Sequence, residues 1–184
     1  MTDKPSMIEV EVKAHVEDPR QIERSIIEMG ATPIGIENQT DTYYNSPVHD
    51  FKMSDEALRV RVQDDRCFLT YKGPKIDSVS KTRKENQVEI NDPGSMGDIL
   101  SSLGFIPVAT VIKKRKNYRI ADILISLDEV RNLGSFIEIE ISVKNQSNYE
   151  KKVESIFKII EKLGISRDST IRKSYLEMVL EKCL

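Results

Sequence analysis

Charged and apolar residues alternate from Ile8 onward within residues 7–13, so a strand there carries Ile8, Val10 and Val12 on one face and Glu9, Glu11 and Lys13 on the other. The same period of two returns over 57–63, where Leu58, Val60 and Val62 oppose Arg59, Arg61 and Gln63. It is cleanest over 136–141, where Ile137, Ile139 and Ile141 oppose Glu138 and Glu140. Further strands are predicted over 34–45, 67–72, 81–91, 108–118 and 121–130. Their polar phases hold Gln39, Asp41 and Tyr43; Thr70 and Lys72; Arg83, Glu85, Gln87 and Glu89; Lys113 and Arg115; and Ser126 and Asp128. Between them the period becomes helical. Asp18 and Pro19 open a helix bearing Ile22, Ile26, Ile27 and Met29, which Gly30 closes, and 93–103 repeats that design before Gly104. A long helix over 148–163 packs Val153, Ile156, Phe157, Ile160 and Leu163, and a last one covers 171–180. Residues 46–56 and 73–80 read as loops, and no internal repeat marks a second unit, so one domain over 1–184 is expected.

Collected across the strands, the polar faces hold Glu9, Glu11, Glu85, Glu89, Asp128, Glu138 and Glu140 against Lys13, Arg59, Arg61, Lys72, Arg83, Lys113 and Arg115. We therefore expect an α+β chain whose eight strands close into an antiparallel β-barrel, with helices packed on the outside and a charged lumen. An open sheet with one solvated face has the same periodicity. An enclosed lumen of this kind is costly to desolvate unless a charged ligand and metal ions occupy it. Carboxylates two residues apart on one strand face lie roughly 7 Å apart, which suits hard cations held between oxygens.

Composition narrows the partners. Charged residues are 32% of the chain, yet the net charge is only -2, which argues against a bulk nucleic-acid or membrane-surface binder. Any anion site must be local. Cys67 and Cys183 are far apart and form no CxxC pair, and no apolar signal region or membrane-length run occurs, so a cytoplasmic protein is expected. His15 and His49 show no triad or zinc spacing, and neither common phosphate-loop motif is present.

Glu9-Val10-Glu11-Val12-Lys13 resembles the ExExK signature of the CYTH superfamily, the triphosphate tunnel metalloenzymes. Ala57-Leu58-Arg59-Val60-Arg61, Thr70-Tyr71-Lys72-Gly73-Pro74, Lys113-Lys114-Arg115 and Leu127-Asp128-Glu129-Val130 follow in the family's order, as do Gly134 to Glu140 and Ser174-Tyr175-Leu176-Glu177. The likeness spans nearly the whole chain and is strongest to the class IV adenylyl cyclase branch. One position departs: Gln87 stands where the strand pattern RxExE has its last glutamate.

That resemblance implies a metal-dependent enzyme converting ATP to cyclic AMP and pyrophosphate inside the barrel. An inorganic or thiamine triphosphatase, cutting the terminal phosphate, is the alternative, and a non-catalytic polyphosphate-binding module the third reading. It implies Mg²⁺ or Mn²⁺ held by Glu9, Glu11, Glu85, Glu138 and Glu140, with Lys13, Glu11 and Asp128 as catalytic residues. Lys13, Arg59, Arg61, Lys72, Arg83, Lys113 and Arg115 would meet the phosphates as guanidinium forks and ammonium point charges. The implied partner is a nucleoside triphosphate or inorganic polyphosphate, taken up by a monomer or homodimer with no nucleic acid and no membrane.

Overall fold

The period-two segments form eight strands: β1 Ile8–Val16, β2 Thr32–Asn45, β3 Ala57–Gln63, β4 Arg66–Lys75, β5 Arg83–Ile90, β6 Ile106–Ile120, β7 Ile123–Val130 and β8 Gly134–Val143. The computed structural model describes residues 8–75, 83–143 and 149–182, leaving out the side chains of 8, 9, 75, 83, 84, 143 and 149. The strands make one antiparallel sheet in the order β1-β8-β7-β6-β2-β3-β4-β5.

The expected closed barrel is not what forms. Among the described residues β1 and β5 do not pair, so the sheet is open, although it curls enough for Glu11 of β1 and Glu85 of β5 to line one cavity. A competing partner takes the free side of β1. Ile171 N–H donates to the Lys13 carbonyl at 2.7 Å and Ala14 bridges to Thr170, so a C-terminal segment satisfies backbone groups that barrel closure would have used.

On the outer face, Val10, Ala14, Ile125, Ile137, Ile139 and Ile141 meet helices α1 (Pro19–Glu28) and α4 (Tyr149–Lys162). Ile156 and Ile160, one turn apart on α4, are fully buried there. Asp18 caps α1 by accepting from the Arg20 and Gln21 amides at 3.0 and 3.1 Å, with Pro19 in the first turn. Its buried stripe is narrower than the sequence predicted, since Ile26 is buried but Ile27 is about half exposed. Helix α3 (Pro93–Ser102) inserts Leu100 against Tyr44, Leu58 and Val60. The loop over 46–56 contains a short helix, α2 (Phe51–Ser54), capped by Asp50.

The last helix is shorter than expected and lies on the other side. α5 spans Tyr175–Lys182, because Ile171 is drawn into the backbone contact with β1. Ser174 and Glu177 then start the helix as a reciprocal capping box, at 2.6 and 3.2 Å. Tyr175 packs with Val111, Val130 and Phe136, residues in phase with the charged positions of β6, β7 and β8, so α5 occupies the inner face rather than the outside.

Candidate functional site

The inner face encloses a cavity of about 710 Å³. Strand alternation brings to its wall Glu11 and Lys13 from β1, Arg59 and Arg61 from β3, and Lys72 from β4. Glu85 and Gln87 from β5, Lys113 and Arg115 from β6, and Glu138 and Glu140 from β8 add to its polar lining, as does Asp41 from β2. The expected convergence of separate segments on one channel therefore holds for these residues. The side chains of Glu9 and Arg83 lie outside the described residues. Asp128 is fully buried and does not line the cavity.

Two aspartates organise the basic side chains. Asp41 accepts from Arg61 Nε and Nη2 at 2.6 and 2.7 Å, a bidentate fork, and meets Arg59 Nη1 at a long 3.5 Å. Asp128 takes Arg115 Nε and Nη2 in the same way at 2.6 and 2.5 Å, with Lys113 Nζ at 3.5 Å. Burial pushes the Asp41 carboxyl up, but the Arg61 fork and the charges of Arg59, Arg61 and Lys113 outweigh it and hold the group below the usual carboxylate range. Burial, reinforced by the Arg115 charge, pulls the Lys113 ammonium down to about 8 against the pull of Asp128 and Glu138. Burial and the Arg59 charge also lower Lys72, which pairs with Glu85.

Tyr175 reaches into this network from α5. Its hydroxyl donates to Asp128 at 2.8 Å, and Lys13 and Lys113 sit 3.8 and 5.0 Å from its ring centroid. Burial and the neighbouring Glu138 and Asp128 raise the phenol far above its ordinary value, so it remains a donor. Lys13, almost wholly buried, contacts Glu138 at 3.1 Å and donates to the Lys173 carbonyl at 3.2 Å.

A wall of carboxylates adjoins the Asp128 cluster, where Arg115 also reaches Glu138. Glu11 and Glu140 are directly opposite in the β1–β8 register, and Glu138 faces Lys13 in the next inward pair. Like charges opposite each other across a ladder repel, and a divalent cation between hard oxygen donors would offset that. The donor chemistry suits Mg²⁺ or Mn²⁺. Among the described residues, however, no three acidic, histidine or cysteine side chains already converge in ligating geometry. Glu85 stands across the cavity on β5, engaged by Lys72, rather than with Glu11, Glu138 and Glu140.

Several residues fall outside the cavity lining. Glu89 is in phase with Glu85 but lies at an exposed sheet end, paired with Arg66 at 2.9 Å. His15 packs edge-on against Phe136, and His49 contacts Glu56 at 2.7 Å. Neither histidine lines the cavity. Asp41 is the residue that sequence reasoning undervalued. Its in-phase position on β2 was visible, whereas its partnership with Arg61 depends on the β2–β3 register. Among the described residues, Arg59 Nε and Gln39 Oε1 are buried without a partner.

Among the described residues no helix is long and apolar enough to cross a membrane. The CYTH domain family model matches residues 7–175. A Methanocaldococcus jannaschii protein bearing a provisional adenylate cyclase name is 42% identical over 172 residues, covering 94% of this chain and 98% of that protein. An Aeromonas hydrophila protein named adenylate cyclase CyaB is 22% identical over 170 residues, with 91% and 86% covered. The solved structure of the PH1819 protein from Pyrococcus horikoshii OT3 aligns with a TM-score of 0.86 and 42% identity, over 95% of this chain and 99% of that one.

Proposed function

The chain belongs to the CYTH domain family, and from that premise we propose that it is a divalent-metal-dependent enzyme converting a nucleoside triphosphate to a cyclic nucleotide and pyrophosphate. The observation that carries this reading is one cavity whose lining includes the basic side chains Lys13, Arg59, Arg61, Lys72, Lys113 and Arg115 beside the carboxylates Glu11, Glu138 and Glu140. A triphosphate brings about four negative charges, which this density of cations matches. A binder of anions alone gains nothing from the facing glutamates. The same lining includes Tyr43, Tyr44, Phe51, Leu176 and Leu180, apolar surface that suits a nucleoside better than a bare phosphate chain.

The residues divide the work by how firmly they are held. Arg61 and Arg115, forked onto aspartates, fix the geometry and the field of the wall. Arg59 and Lys113, at long range from the same aspartates, have more freedom to turn toward phosphate oxygens. Glu11 and Glu140, with Glu138, would hold Mg²⁺ or Mn²⁺; when bound, the ion polarises the attacking hydroxyl and neutralises phosphate charge. The ribose 3'-oxygen attacks the α-phosphorus and loses its proton to solvent. The bond from that phosphorus to the bridging β-phosphate oxygen breaks, and pyrophosphate departs with the electron pair, its charge met by the basic side chains.

Incubation of the purified protein with ATP and with tripolyphosphate, in Mg²⁺ or Mn²⁺, tests the proposal by resolving the products. Cyclic AMP with stoichiometric pyrophosphate is expected. Orthophosphate without cyclic AMP would replace cyclisation by hydrolysis in the same cavity, and tight binding without turnover of either compound would leave a non-catalytic polyphosphate binder.

A further inference from the structure

We propose that Tyr175 is a positioning residue whose ring is the common support on which the Lys13 and Lys113 ammonium groups are presented, as a pair, to the polyphosphate. The inference rests on the triphosphate reading above and gives α5 a part in it. Lys13 is on β1 and Lys113 on β6, strands that β8 and β7 separate in the sheet, so ladder register alone does not bring the two ammoniums together. Tyr175 does. Lys13 Nζ lies 3.8 Å and Lys113 Nζ 5.0 Å from its ring centroid, both within cation–π range, and both lysines line the cavity.

The ring is held firmly enough to serve as a support. It is buried, meets Phe136 edge-on at 5.2 Å between centroids, and belongs to the apolar cluster of Val111, Val130 and Phe136. Its backbone is fixed on both sides. Ser174 and Glu177 close the first turn of α5, while Ile171 N–H and the Lys173 carbonyl engage the carbonyl and the ammonium of Lys13.

A ring supplies something that a carboxylate cannot. An acid that fixes an ammonium also cancels its charge, whereas the face of a neutral ring attracts the cation and leaves that charge available to phosphate. The neighbouring acids are already occupied by stronger donors. Asp128 Oδ2 accepts from Arg115 Nη2 at 2.5 Å and from the Tyr175 hydroxyl at 2.8 Å, and Lys113 stays 3.5 Å from that same oxygen. Glu138, 3.1 Å from Lys13, is likewise shared with Arg115. Tyr175 thus occupies Asp128 with its hydroxyl and holds the lysines with its face. Two cations placed before the substrate arrives spare the ordering cost that two flexible side chains would otherwise incur on binding.

The test keeps the shape of the ring and changes its electrostatics. Isothermal titration with α,β-methylene-ATP in Mg²⁺ compares wild-type protein, Tyr175→Phe, and the same position carrying mono-, di- or trifluorinated phenylalanine introduced by nonsense suppression. Fluorine withdraws charge from the ring face and so weakens its hold on a cation. Affinity is expected to fall stepwise with each added fluorine, reaching about 3- to 30-fold below Tyr175→Phe for the trifluorinated ring. A ring with a merely structural role would give equal affinity across the fluorinated series. That result, or a loss confined to the step from tyrosine to phenylalanine, overturns the assignment of Tyr175 while the triphosphate reading stands. Wild-type protein that fails to bind the analogue overturns the triphosphate reading and this inference with it.

Discussion

Asp41 and Asp128 sit on different strands and hold the same kind of basic pair, yet their surroundings differ. Each accepts a bidentate guanidinium and keeps a second cation at 3.5 Å. Asp128 also accepts the Tyr175 hydroxyl, while its Arg115 reaches on to Glu138 and its Lys113 lies under the Tyr175 ring. On the Asp41 side the phenol, Tyr43, bonds to Arg59 and leaves the acid alone. One cluster is locked from above by α5, and the other is open to the cavity. Identical charge motifs thus acquire different rigidity from one inserted aromatic side chain. Both acids are buried, and the physical reason is that the one that also accepts the phenol is more fully satisfied and anchors its neighbours more firmly.

The sharpest way to break this contrast is to remove the two acids in turn. Asp128→Ala strands two cations and a phenol in a buried setting and is expected to cost about 3–5 kcal/mol in urea unfolding. Asp41→Ala should cost less, by roughly the 1–2 kcal/mol of the phenol hydrogen bond that Asp41 lacks. Equal losses would mean that α5 adds no rigidity. Next in size, Arg59→Ala removes the looser cation of the open cluster and is expected to lower kcat/KM for the triphosphate by about 10- to 100-fold, with little effect on stability. An unchanged kcat/KM would place the phosphates elsewhere.

A pH profile separates the clusters further, because Lys113 is held near 8 whereas Arg59 stays charged. A folded pKa below the unfolded value of about 10.4 means that the native state releases the proton first. Stability contributed by this group therefore rises with pH between about 8 and 10.4, while the positive charge available to phosphate is lost as pH climbs through 8. We expect kcat/KM to fall about tenfold between roughly pH 7 and 9, and Lys113→Arg to flatten that limb. A wild-type profile that is already flat would detach Lys113 from substrate binding. The smallest expected effect is that of Tyr175→Phe, which keeps the ring but deletes the donor to Asp128, at about 1–2 kcal/mol by thermal unfolding. A destabilisation as large as that of Asp128→Ala would show that the hydroxyl, more than the guanidinium, holds the cluster.

Much of this site was legible along the chain. The alternation in β1, β3 and β8 assigned Glu11, Lys13, Arg59, Arg61, Glu138 and Glu140 to one face, and the cavity contains all of them. Asp128 was visible by the same rule, but periodicity gave its face and not its depth, so a buried anchor looked like a lining residue. Barrel closure was misjudged for a related reason. Eight alternating strands specify a sheet with a polar side, but they do not say whether its edges find each other or a different segment. Here 170–171 pair with β1, and α5 lies on the inner face.

What the sequence settled by itself was local: which residues share a face, since strand geometry repeats every two positions and leaves a side chain no third direction. Which aspartate grips which arginine, which strand edge stays unpaired and which helix enters the cavity were settled only in three dimensions. Those pairings join segments tens of residues apart, and their energy depends on register and burial that no stretch of chain contains alone.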